Sequence, residues 1–226
     1  MKFPTFCFYL SFSFFTFHFS LSAFAQVNDF ALWENIYLEK PVNKNTAIHL
    51  NHEGRINENA SQFYYTYADV GLTYKINKHF NATLDYVFIE KQLNTKFWSA
   101  RHQFYGDIGF KKNIKSWRFY LRTMVQSQVQ DIFSSETGKI PSYYFRNKMT
   151  VKYNLGRYCP YLAGELYNKL SLPIIENPDK FRCFAGCFYE LDKSNEIELY
   201  YLLEKQINVN NPNTNFVAGI GFAHLF

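Results

Sequence analysis

Asn215-Phe216-Val217-Ala218-Gly219-Ile220-Gly221-Phe222-Ala223-His224-Leu225-Phe226 ends the chain, and the reading of this stretch decides the fold. Successive side chains of an extended strand point to opposite faces, so Phe216, Ala218, Ile220, Phe222, His224 and Phe226 share one face. The same period of two recurs upstream. Phe80, Ala82, Leu84, Tyr86 and Phe88 oppose Asn81, Thr83 and Asp85. Trp117, Phe119, Leu121 and Val125 oppose Arg118, Tyr120, Arg122 and Gln126, and Phe104, Ile108 and Phe110 oppose Arg101, Gln103, Asp107 and Lys111. Phe145, Met149, Val151, Tyr153 and Leu155 oppose Arg146, Lys148, Thr150, Lys152 and Asn154. Similar segments cover 46–56, 63–76, 160–170, 181–191 and 196–206, and helical spacing fits none of them as well.

The connectors alternate in length. Asn77–His79, Asn113–Ser116 and Asp192–Asn195 are tight, whereas 131–142, 171–179 and 208–214 are longer and rich in Pro, Asn and Ser. Short turns at one end and long loops at the other are the layout of a transmembrane β-barrel. A terminal Phe on a strand of alternate apolar residues also resembles the C-terminal signal of outer-membrane barrels, here carried by Phe216, Ile220, Phe222 and Phe226. On a soluble protein such a strand would be an aggregation hazard.

Composition agrees. The 226 residues are 47% hydrophobic and 20% aromatic, yet the mean hydropathy is −0.28. So many aromatics exclude disorder, and beyond the N-terminus no apolar run is long enough for a membrane helix. Residues 1–25 read as a secretory signal peptide: Lys2, a Phe-dense apolar stretch, and Ala23-Phe24-Ala25 before the cleavage point. With Lys2 removed, the charge falls from +5 to +4, too weak and too evenly mixed for a nucleic-acid partner.

The expectation is therefore one all-β domain over 26–226, an antiparallel transmembrane β-barrel of about 10–12 strands in the outer membrane of a Gram-negative envelope. Its partners would be outer-membrane lipid and lipopolysaccharide, with the barrel-assembly machinery reading the C-terminal strand. Hydrocarbon offers no hydrogen bonds to a sheet edge, so the sheet must close. Counting back from the C-terminus gives ten strands from residue 46. Phe30, Leu32, Ile36 and Leu38, alternating with Trp33 and Tyr37, suggest one more within 29–40. Eleven would break the even count of bacterial barrels, so 26–45 is either a segment lying against or inside the barrel, or evidence of a twelfth strand. Tyr64, Tyr65, Trp98, Trp117, Tyr143, Tyr144, Tyr158 and Tyr161 near strand ends suit aromatic girdles.

The polar face would line the lumen with Arg55, Asp69, Asp85, Arg101, Asp107, Arg118, Arg122, Arg146, Lys148 and Glu165, joined by Glu53, Lys152, Glu198 and Glu204. That set suits either the lining of a narrow pore or a salt-bridge network that fills it. His49 and His52 fall on opposite faces of a strand, so their spacing argues against a shared metal. No cofactor is implied, and no Gly-x-Ser-x-Gly, His-Glu-x-x-His or phosphate-binding loop marks an enzyme. After cleavage of 1–25 the chain keeps three cysteines, Cys159, Cys183 and Cys187, an odd set that reads as packing residues. The function expected is structural or small-solute passage. The alternatives are an enzyme acting on outer-membrane lipid and a soluble periplasmic lipocalin-like binding barrel.

The order Trp33, Glu53-Gly54-Arg55, Asp69-Val70-Gly71-Leu72-Thr73-Tyr74, Arg101-His102, Trp117-Arg118-Phe119-Tyr120-Leu121-Arg122 and Tyr144-Phe145-Arg146-Asn147-Lys148 resembles a known family. It continues through Pro160-Tyr161, Arg182, Ala185-Gly186 and Glu198-Leu199-Tyr200-Tyr201. The resemblance, over essentially all of 29–226, is to the barrel family catalogued as domain of unknown function 2490. It implies a signal peptide and a small outer-membrane barrel of unassigned function, with no catalytic residues to carry over.

Overall fold

A computed structural model describes residues 28–93, 97–130, 141–171 and 174–226. The signal-peptide reading of 1–25 and most of the 131–142 loop lie outside the described residues. Eleven strands follow one another: β1 Asn28–Pro41, β2 Thr46–Asn57, β3 Gln62–Lys75, β4 Phe80–Gln92, β5 Trp98–Ile114 and β6 Trp117–Gln130. The rest are β7 Ser142–Tyr153, β8 Tyr158–Ser171, β9 Ile174–Glu190, β10 Asn195–Gln206 and β11 Thr214–Leu225. At 12 to 17 residues each, all exceed the 9–11 that a tilted strand needs to cross a bilayer.

Each strand pairs antiparallel with its successor, and the sheet closes where β1 meets β11. That closing pair is parallel, from Asn28 opposite Thr214 to Glu39 opposite Leu225. The segment 29–40 is thus the extra strand that its alternation suggests, an eleventh and not a sign of a twelfth, and it is not a lumen plug. Strands that alternate in direction around a ring must leave two like-directed neighbours whenever their number is odd. A single parallel pair closes the ladder and leaves no open sheet edge, and the requirement in hydrocarbon is closure, not evenness.

Leu84, Phe104, Ile108, Leu121, Met149, Leu162, Leu199 and Ile220 stand exposed on the outside. The inner face buries Trp33, Val87, Ile89, Met124, Leu202 and Val217 among charged neighbours. Apolar outside and polar inside is the arrangement that lipid selects and water does not. Polar side chains on the outer face include Glu34 and His52, 3.9 Å apart. Aromatic pairs mark both rims: Phe63 with Trp98 at one, and Phe80 with Phe110, Trp117 with Tyr153 and Tyr158 with Tyr189 at the other. Tyr65 and Tyr161 do not join the girdles. Tyr65 lies against Arg55, and the Tyr161 hydroxyl donates to Glu198, both within the lumen.

The rim that carries the C-terminus has only short turns, such as Lys115-Ser116, where Lys115 has a φ of 53°. The 171–179 stretch is mostly strand and not loop, because β8 runs to Ser171 and β9 starts at Ile174. Its prolines suit a loop by composition alone. Pro178 lacks an amide hydrogen, and the ladder shifts register opposite it at Asn168 rather than ending there. The β2–β3 turn, at the rim opposite the C-terminus, has three non-glycine residues at positive φ, Glu58, Asn59 and Ala60. The Asp29 carboxylate holds it by accepting from the amides of Glu58 (3.1 Å) and Asn59 (2.8 Å).

Candidate functional site: a charged lumen

Strand alternation fixes which residues meet inside. Arg55 on β2, Asp69 on β3, Asp85 on β4, Arg101 and Asp107 on β5, Arg118 and Arg122 on β6, Arg146 and Lys148 on β7, and Glu165 on β8 all sit at inward positions. The closed sheet gathers Arg55, Asp69, Asp85, Arg122, Arg146 and Glu165 into clusters along the wall, whereas Arg101, Asp107, Arg118 and Lys148 join no ion pair among the described residues.

Glu165, 3% exposed, centres the first. Its Oε1 accepts from Arg122 Nη2 at 3.0 Å and Arg146 Nη2 at 2.8 Å, and its Oε2 accepts from the Tyr167 hydroxyl at 3.2 Å. Arg146 also donates to Gln126 at 2.8 Å and lies 4.3 Å above the Tyr167 ring. Glu204 centres the second, accepting from Arg182 Nε at 2.6 Å and Asn215 at 3.1 Å with Lys180 at 3.5 Å. In the third, Arg55 pairs with Glu53 at 2.5 Å and is sandwiched between the rings of Trp33 (3.8 Å) and Tyr65 (4.2 Å). Charges buried with this many donors and rings are stabilised where isolated ones would not be.

The fourth cluster is acidic. His49 Nε2 lies 2.5 Å from Asp85 Oδ1, and Tyr105 donates to Asp69 at 2.9 Å. His49 and His52 do face opposite ways, His52 contacting Thr66 on the outside at 3.1 Å. What the spacing of histidines could not show is that Asp69 and Asp85, on two other strands, come to His49.

Among the cavities that the described residues enclose, two along this lining hold about 430 Å³ and about 700 Å³. Asn51, Asp69, Tyr105, Arg122 and Lys148 line both, so the two meet at that ring. The named ion pairs link strands at most two apart, which paves the wall without bridging the axis. The wall of the smaller cavity holds eight Lys and Arg against three Asp and Glu. Even counting Glu204 behind Lys180 and Arg182, cations are in excess. Among the described residues no ion pair holds Arg101 or Lys148; Lys148 Nζ sits 4.3 Å over the Phe184 ring. Cys159 is buried, while Cys183 is exposed on the outer face, and the three cysteines among the described residues are unbridged.

A closed sheet with an apolar exterior and a charged, cavity-bearing interior defines a transmembrane β-barrel. The chain belongs to the family described as protein of unknown function (DUF2490), whose model matches residues 30–215. None of the curated proteins compared with it matches the chain. Among solved structures, an anion-selective porin from Comamonas acidovorans is loosely similar, at 11% identity and a TM-score of 0.37. The alignment covers 79% of this chain and 58% of the porin, so the chain spans less than two thirds of that protein's length.

Proposed function

We propose that the protein is an outer-membrane barrel that passes or holds small anionic solutes in its lumen. The observation that carries this reading is the cationic surplus around the smaller cavity, with no ion pair to Arg101 or Lys148 among the described residues. A low-dielectric wall of one sign concentrates counter-ions in a narrow passage. The outer membrane is supported by the apolar exterior together with the export signal read in residues 1–25. In the same reading, Phe216, Ile220 and Phe222 on the outer face of β11 contact lipid, and with Phe226 they present the strand to the assembly machinery. No cofactor or catalytic step is part of this role.

Planar-bilayer recording under a potassium chloride gradient tests it. Folded protein should give discrete conductance steps with a reversal potential on the chloride side. Lys148→Glu should shift that potential toward potassium. A silent bilayer from folded protein would favour a plugged, structural barrel, and a selectivity unmoved by Lys148→Glu would remove the lumen charge as its cause.

A further inference from the structure

The acidic cluster has a feature that solute passage does not use. His49, Asp69 and Asp85 are each 6% exposed, and one ligand atom from each lies within 4.8 Å of the other two. Each also keeps one buried polar atom with no hydrogen-bond partner among the described residues: His49 Nδ1, Asp69 Oδ1 and Asp85 Oδ2. Two buried carboxylates this close, with one donor each and two idle oxygens, are costly unless something cancels their charge.

Backbone register shows how the site is built. His49, Gly71 and Asp85 are directly opposite one another on β2, β3 and β4. A Cβ on Gly71 would collide with Asp85 Oδ1 and with the His49 ring, so glycine opens the space in which they meet. Tyr37 stacks on His49, with ring centroids 5.5 Å apart, and Tyr105 orients Asp69 through its hydroxyl. Metal sites characteristically hold a carboxylate ligand with an outer hydrogen-bond partner of the kind that Tyr105 gives Asp69. His49 and Asp69 line the larger cavity, which gives a small ion access.

We infer that His49, Asp69 and Asp85 form a binding site for one first-row divalent cation, of which Zn²⁺ is the natural probe. One imidazole and two carboxylates supply a 2− charge and a mixed nitrogen–oxygen donor set that suits such ions. Ligands at about 2.0–2.2 Å from zinc are separated by distances between the 2.5 Å of the His49–Asp85 contact and the 4.8 Å limit of the set. The fourth position would open toward the cavity. Because Asp69 also lines the ring where the cavities meet, the bound ion would change the charge of the passage at its junction.

The test uses untagged, detergent-folded chain carrying Cys159→Ala, Cys183→Ala and Cys187→Ala, so that no thiolate competes for metal. After chelator treatment, calorimetric titration with ZnCl₂ should show one ion per chain. His49→Gln, Asp69→Asn and Asp85→Asn should each weaken binding at least tenfold, and His52→Gln should leave it unchanged. The Asp69→Asn/Asp85→Asn double variant relieves the carboxylate repulsion, so it should fold, by heat-shifted gel migration, and take up no zinc. Absence of stoichiometric uptake by folded wild-type lumen residues would overturn the site and favour a proton shared between the two acids. Undiminished uptake by the double variant would overturn it too. Neither result depends on conductance.

Discussion

Glu165 receives two guanidinium groups on a single oxygen, and each arginine comes from a different strand. Removing that charge leaves Arg122 and Arg146 facing Lys148 and Arg182 across a common cavity without their counter-ion. Breaking a buried pair from one side costs about 3–5 kcal/mol in general, and the wetter lumen places Glu165→Gln near the lower end, at about 3 kcal/mol. Urea unfolding in lipid vesicles should show the loss as a lower midpoint. Gly71→Ala is a single methyl change with an equally local cause: the added carbon meets both His49 and Asp85. The sign of each lumen position was legible from alternation alone. The pairings were not, because a carboxylate's partner lies on another strand at a register that no local pattern encodes. His49 shows this most plainly. Its nearest histidine in sequence is irrelevant, while its two acidic neighbours are twenty and thirty-six residues away in the chain.

At the scale of elements, β1 is the informative strand. Its alternation of Leu32 and Ile36 with Trp33 and Tyr37 marks it as extended, with one face apolar, but alternation does not reveal a partner. The pairing of Ile36 with Phe222 in the parallel β1–β11 ladder can be checked directly. With the native cysteines replaced, Ile36→Cys/Phe222→Cys should crosslink on mild oxidation in the folded barrel. A pair displaced by four residues, Leu32→Cys/Phe222→Cys, should not, since disulfides need Cα atoms within about 7 Å. Failure of the first pair with folded protein would reject the eleven-strand closure. The β8–β9 hairpin teaches a related lesson. Pro178 and its polar neighbours read as loop, yet the ladder continues around them with Asn168 donating to the Glu176 carbonyl at 2.9 Å.

For the molecule as a whole, the closed ladder is the main consequence of the solvent. A sheet without edges resists detergent until heated, so the purified chain should migrate differently on gels before and after boiling, and should require detergent to remain dispersed. Identical migration with solubility in plain buffer would instead indicate a water-soluble barrel. The sequence by itself determined that the chain is all-β, that most strands have one apolar and one charged face, and on which face the charged residues fall. It could do so because period-two alternation is a local property, printed in neighbouring residues. Only the tertiary structure decided that the barrel closes at eleven through a parallel pair, that cations exceed anions around the cavity, and that His49 meets Asp69 and Asp85. Those outcomes depend on register around a ring, where each strand's position is set by the sum of all the pairings before it.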